Sequence, residues 1–172
     1  KKRICFSKYP YREYITDMSK ENRSSFVISI LLPLAIGSLS TLISGNRSMY
    51  DMINKPALSP PAFIFPVVWT ILYILMGISS YLIYESNNPG RRRALRTYAV
   101  QLLFNFFWSI IFFGFSQYFL AFIWLLALIL VIIVMICQFY KISPAAAYLQ
   151  IPYLIWCIFA AYLNFMIYIM NR

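Results

Sequence analysis

The chain has 172 residues, of which 62% are hydrophobic, 19% aromatic and only 12% charged, against roughly half apolar and about a quarter charged in an ordinary soluble domain. That balance excludes a soluble globular protein. The absence of His excludes imidazole metal ligation, imidazole general-base catalysis and His-ligated haem.

In chain order, no Asp, Glu, Lys or Arg occurs from Ser24 to Asn46, from Pro56 to Tyr84, from Thr97 to Tyr140 or from Ile142 to Asn171. A spanning helix needs about 20 apolar residues at about 1.5 Å rise each, so three blocks hold one span and the longest holds two. The predicted spans are 26–45, 62–84, 95–115, 118–139 and 144–169, with the long block breaking at Gly114-Phe115-Ser116-Gln117-Tyr118. The blocks do not alternate in polarity, which excludes a β-barrel. The fold class is therefore an all-α integral membrane protein, a five-transmembrane-helix bundle. Residues 1–25 form a basic polar N-terminal tail, expected to be flexible, and 26–170 form the transmembrane domain. About 23 polar residues precede the first apolar run, so the start is not read as a cleavable signal peptide.

Cys5, Cys137 and Cys157 are too scattered for a zinc or redox pair. Glu13, Asp17, Glu21, Asp51 and Glu85 all fall in the tail, a loop or a helix end, which removes the usual residues of a proton relay or ion-coupled transporter. No metal site is expected.

The basic residues divide unevenly. Lys1, Lys2, Arg3, Lys8, Arg12, Lys20, Arg23, Arg91, Arg92, Arg93, Arg96 and Lys141 fall on one side, and Arg47, Lys55 and Arg172 on the other. The positive-inside rule then predicts the N-terminus inside and the C-terminus outside. Such a basic rim suits anionic lipid head groups, and no nucleic-acid partner is expected.

Polar and aromatic side chains recur on single helix faces. The third helix carries Gln101, Asn105 and Ser109 with Trp108 and Phe112 beside them; the second carries Phe65, Trp69, Tyr73 and Gly77; the fifth carries Pro152, Trp156, Ala160 and Asn164. Polar groups at bilayer depth face protein or a cavity, and Trp69, Trp108 and Trp156 lie too deep for an interfacial belt, which predicts an aromatic cavity. Trp124 suits the belt. The fourth helix, Ala121 to Ile136, is almost uniformly aliphatic and is expected to face lipid or a second copy. In the first loop Pro56, Pro60, Pro61 and Pro66 stiffen the chain over one end of the bundle, as a lid or a stop before the second helix.

At these residues the chain resembles the TspO/MBR family of tryptophan-rich sensory proteins and translocator proteins, which includes the peripheral benzodiazepine receptor. The resemblance runs from about residue 26 to 170. It is carried by Tyr50 with Lys55-Pro56 and Pro60-Pro61, Pro66-Val67-Val68-Trp69-Thr70-Ile71-Leu72-Tyr73 with Met76-Gly77, Gln101-Leu102 with Asn105, Trp108 and Ser109, and Pro152-Tyr153-Leu154-Ile155-Trp156 with Phe159-Ala160 and Tyr162-Leu163-Asn164.

The resemblance implies a five-helix bundle, commonly a homodimer, binding porphyrins such as protoporphyrin IX, haem and benzodiazepine-type ligands. By matching position the ligand site would comprise Tyr50, Pro60, Phe65, Trp69, Tyr73, Asn105, Trp108, Ser109, Trp156 and Ala160. The positions of Trp69 and Trp156 are those linked in bacterial relatives to light-dependent porphyrin breakdown, so these two are the candidate catalytic residues. Met49 and Leu58 stand where the family often has Trp. The sterol motif is present only loosely as Leu163, Tyr168 and Arg172, with Phe165 at the position of its tyrosine. The expectation is a tetrapyrrole-binding receptor or sensor in a bacterial plasma membrane, with light-dependent porphyrin degradation as an activity; the alternative is a facilitative carrier of porphyrin or another hydrophobic metabolite.

Overall fold

The computed structural model describes the backbone of residues 11–45 and 52–172 and the side chains of residues 23–45 and 52–172. Its helices are α1 (Tyr11–Ser44), α2 (Ile64–Glu85), α3 (Arg91–Ser109), α4 (Tyr118–Tyr140), α5 (Pro144–Tyr148) and α6 (Ile151–Met170). A π-helical turn, Ile110–Gly114, prolongs α3. Five segments are long and apolar enough to cross a membrane: Arg23–Ser44, Ile64–Glu85, Arg91–Gly114, Tyr118–Tyr140 and Pro144–Met170. The protein is a five-helix membrane bundle, as the uncharged blocks require.

The expected break in the long block falls where the sequence placed it. Ser116 takes a left-handed backbone, φ 55°, and the Gln117 amide turns back to the Ile111 carbonyl at 3.2 Å. At the opposite end of the bundle α2 passes to α3 through Asn88, whose side chain accepts from the Gly90 amide at 2.8 Å. Arg91 donates to the carbonyls of Tyr84 and Ser86 at 3.0 and 3.1 Å, which satisfies carbonyls left over at the end of α2. Ser143 caps α5 and Pro144 opens it, both suited to a helix start.

The first span, Arg23–Ser44, lies where the uncharged block places it, and its helix α1 continues N-terminally as far as Tyr11. α4 has two faces: its outer face, with Leu120, Ile123, Leu126, Leu130, Ile133 and Val134 at 40–65% exposed, fits the expected lipid-facing side, and its other face is buried. Ala121, Leu125, Leu128, Ile132, Met135 and Phe139 form a stripe at most 1% exposed, packed against α3, α5 and α6. An all-apolar helix has no polar face to mark its outside, and so its sequence is silent on which side is buried.

Small residues set the tightest approach. A methyl group on Gly77 of α2 would lie 2.6 Å from Ile30 Cα and 2.7 Å from the Ser29 carbonyl of α1, and one on Gly37 of α1 would overlap the Tyr73 ring. Without these side chains the two backbones lie in direct contact, as small residues permit in membranes. On its other flank α1 meets α3 through Ser40, which donates to the Phe106 carbonyl at 2.8 Å.

The Trp124 indole N–H donates to the Phe104 carbonyl at 2.8 Å and its ring stacks on Phe104 at 4.7 Å, so it fastens α4 to α3. α2 and α6, by contrast, meet through side chains, and the space between them holds the aromatic residues described next.

Candidate functional site

Trp69, one turn after Phe65 on α2, stacks on Tyr73 at 5.3 Å between ring centroids. It also reaches Trp108 of α3 at 6.4 Å and the edge of Tyr153 of α6 at 6.2 Å. Phe65 meets Trp156 of α6 edge-on at 5.9 Å. Trp108 continues the row into Phe112, stacked at 5.6 Å. These ring contacts join Trp69 and Trp108 in one group and Trp156 with Phe65 in another, both within one hydrophobic core cluster, with offset and edge-to-face contacts worth about 0.5–1.5 kcal/mol each beyond burial.

Asn105, Gln101 and Trp108 on the inward face of α3 each have a hydrogen-bond partner across the bundle. Asn105 donates from Nδ2 to the Tyr73 hydroxyl at 3.1 Å. The Tyr153 hydroxyl donates to Gln101 Oε1 at 2.9 Å. Trp108 Nε1 donates to Asn164 Oδ1 at 3.2 Å, while Asn164 Nδ2 donates to the Tyr118 carbonyl at 2.8 Å. Gln101 and Asn164 are at most 1% exposed; burial at this depth is tolerable because these bonds are made.

A cavity of about 30 Å³ lies at the end of the cluster nearest the first loop. Phe65 closes it from α2, Trp108, Phe112 and Phe113 from α3 and its π-turn, and Ala160, Leu163, Asn164 and Ile167 from α6. Its volume suits about one water molecule, so the aromatic rings fill most of the space between α2 and α6. Above it, the first loop is tied to the end of α6: the Asn54 amide donates to Asn171 Oδ1 at 3.0 Å, and Asn171 Nδ2 donates back to the Asn54 carbonyl at 2.9 Å. Pro56 is buried beneath the loop.

Of the residues expected from sequence, Phe65, Trp108 and Ala160 line this cavity. Trp69, Tyr73, Asn105 and Trp156 belong to the surrounding cluster. Pro60 is half-buried in the first loop and does not line the cavity, and Tyr50 lies outside the described residues. Ser109 is not in the cluster; its hydroxyl pairs with that of Ser44 on α1 at 3.1 Å. Trp69 and Trp156 share no ring contact among the described residues, since Trp156 turns to Phe65 and to Phe159 at 5.7 Å. Phe112 and Asn164, already on the predicted inward stripes, also line the cavity, and the structure adds Phe113, Leu163 and Ile167 to its lining and Tyr153 to the ring contacts of Trp69. Asn164 and Tyr153 were visible as polar residues at bilayer depth, whereas Phe113 carried no signal.

Residues 29–170 match the model of the TspO/MBR family. The chain belongs to the TspO/MBR family. Among TspO/MBR relatives, the tryptophan-rich protein TspO of Archaeoglobus fulgidus is 37% identical over 152 residues, covering 87% of this chain and 99% of that protein. The tryptophan-rich sensory protein of Cereibacter sphaeroides is 36% identical over 116 residues, 67% of this chain and 72% of the relative. The translocator protein of Ovis aries is 38% identical over 119 residues, 67% and 70% respectively. The matched TspO/MBR region contains all five spans except the first few residues of the first.

Proposed function

We propose that this TspO/MBR protein is a membrane receptor or sensor for tetrapyrroles such as protoporphyrin IX or haem, held between α2, α3 and α6, with benzodiazepine-type compounds accepted at the same place. One observation carries the proposal: Trp69, Trp108 and Trp156, on three different helices, stand in two groups of aromatic rings within one hydrophobic core, beside a cavity under the first loop. A flat apolar macrocycle has the shape and chemistry to replace ring–ring contacts with its own stacking. Because the cavity holds only about 30 Å³, binding requires α2 and α6 to part and the rings to rotate.

Asn164 is the polar group lining the cavity, and beyond its two bonds its spare Nδ2 hydrogen suits a carbonyl or carboxylate of the ligand while its spare Oδ1 lone pair suits a ligand N–H or O–H. The direct test is porphyrin titration monitored by tryptophan fluorescence, wild type against Ala160→Leu. Leu at this position fills the cavity without introducing a polar atom. Equal affinity in the two proteins, with the fold intact, would falsify the site.

Light-dependent porphyrin degradation is a second activity of the same site. Among the residues whose side chains are described, Glu85 is the sole Asp or Glu, exposed at the end of α2, so that part of the bundle offers no carboxylate acid–base pair. The chemistry must come from the excited porphyrin and molecular oxygen, with the electron-rich indoles of Trp69 and Trp156 as partners. Carriage of porphyrin across a plasma membrane is the alternative, tested by flux into vesicles. The expected inside N-terminus and the homodimer belong to the same proposal.

A further inference from the structure

One face of α3 points out of the bundle. Arg92, Arg96, Ala99, Val100, Leu103 and Phe107 are all exposed, with Val100, Leu103 and Phe107 at 42%, 55% and 46%. At 3.6 residues per turn these positions fall within a sector of about 100°. Two guanidinium groups thus stand directly in line with an apolar stripe. From Arg96 to Phe107 the helix rises about 16 Å, close to half of a bilayer's hydrocarbon thickness of about 30 Å. The stripe is as long as one leaflet is deep. Its far end has a firm backing, since Phe107 meets the edge of Trp124 at 6.3 Å, and Trp124 is itself fixed to the Phe104 carbonyl.

The charged end is electrostatically unbalanced. α3 starts with Arg91-Arg92-Arg93, and its first turn contains no acidic residue, although the positive end of the helix dipole favours anions there. Arg91 is engaged with the carbonyls of α2, whereas Arg92 and Arg96 point away from the bundle. We propose that this face binds one anionic phospholipid, its phosphate on Arg92 and Arg96 and an acyl chain along Val100, Leu103 and Phe107. A second copy of the chain is the other candidate occupant. Two copies related by an axis along the membrane normal would set one pair of arginines against the other, and that repulsion favours lipid.

The test is native mass spectrometry of the purified full chain with phosphatidylglycerol and phosphatidylcholine of identical acyl chains. Two guanidinium groups at about fivefold each should favour phosphatidylglycerol by about 25-fold. Arg92→Gln with Arg96→Gln should reduce the preference to about twofold or less, and the paired Lys substitutions should retain most of it. Lys141→Gln, which removes another exposed charge from the same end, should leave it unchanged. A short-chain phosphatidylglycerol should bind at least tenfold more weakly than the long-chain form, because the stripe is then unused.

The proposal is overturned if the wild type shows no headgroup preference, if Lys141→Gln lowers it as much as the arginine pair, or if inorganic phosphate competes as well as the lipid. Disulfide cross-linking of Leu103→Cys between two copies in bilayers would also overturn it, by showing that the chain covers this face itself.

Discussion

Asn164→Leu tests the polar frame of the site. Asn164 accepts from Trp108 Nε1 and donates to the Tyr118 carbonyl, so Leu strands the indole N–H and deletes the second bond. A buried donor left without a partner costs about 1–3 kcal/mol and an ordinary hydrogen bond about 0.5–1.5 kcal/mol. Against this, the larger apolar side chain recovers about 1 kcal/mol of transfer energy, for a net loss of about 2 kcal/mol. For a chain of this size that corresponds to a melting temperature lower by about 4–8 °C. Cys157, 1% exposed on α6, provides the readout, because a thiol-reactive fluorophore reaches it only on unfolding once Cys5 and Cys137 are replaced. In a Trp108→Phe background there is no indole donor to strand, so Asn164→Leu should cost about 2 kcal/mol less. Equal costs in the two backgrounds would refute the Trp108–Asn164 bond as a stabilising element.

The remaining predictions concern chemistry, topology and packing. Trp69→Phe and Trp156→Phe should each retain most porphyrin affinity and lose most light-dependent decay of Soret absorbance, whereas Trp124→Phe should leave that decay unchanged; bleaching equal to that in empty micelles would remove the enzymatic reading. Single cysteines at Ala57 and Asn87 should react with an impermeant thiol reagent from outside and from inside respectively, and the reverse pattern would overturn the charge-based orientation. Gly77→Ala should destabilise the bundle by about 1–3 kcal/mol, because backbone atoms of α1 occupy the space of the new methyl group; an unchanged melting temperature would contradict the close α1–α2 contact.

The helices were legible because charge at bilayer depth is so costly that uncharged blocks are unambiguous. The inward face of α3 was legible for the same reason. Ser109 misled because steps of four residues advance about 40° around a helix. By the second step from Gln101 the hydroxyl has turned toward α1, while Gln101, Asn105, Trp108 and Phe112 alternate steps of four and three and stay on one face. Phe113 was hidden by the π-turn, whose extra residue shifts the angular register and brings Phe112 and Phe113 both to the cavity. The cavity's size was hidden too: side-chain spacing gives direction, but the distance between α2 and α6 depends on how rings from several helices interlock.

The contact between α2 and α6 has a mechanical consequence. α1 and α2 are locked together at Gly77 and Gly37, and α3, α4 and α6 are stitched by Trp124 and Asn164. Near the arginine-rich end, Ser79 of α2 donates to the Ala146 carbonyl of α5 at 2.7 Å, which acts as the spine of a book. Toward the loop end, no hydrogen bond among the described residues joins α2 directly to α6, and the pages touch only through aromatic edges. Spreading α2 and α6 there leaves no buried donor or acceptor stranded between these two helices once the exposed Asn54–Asn171 pair releases the first loop, while the bonds of α1 and α2 to α3 through Ser40 and Asn105 limit the opening to that seam.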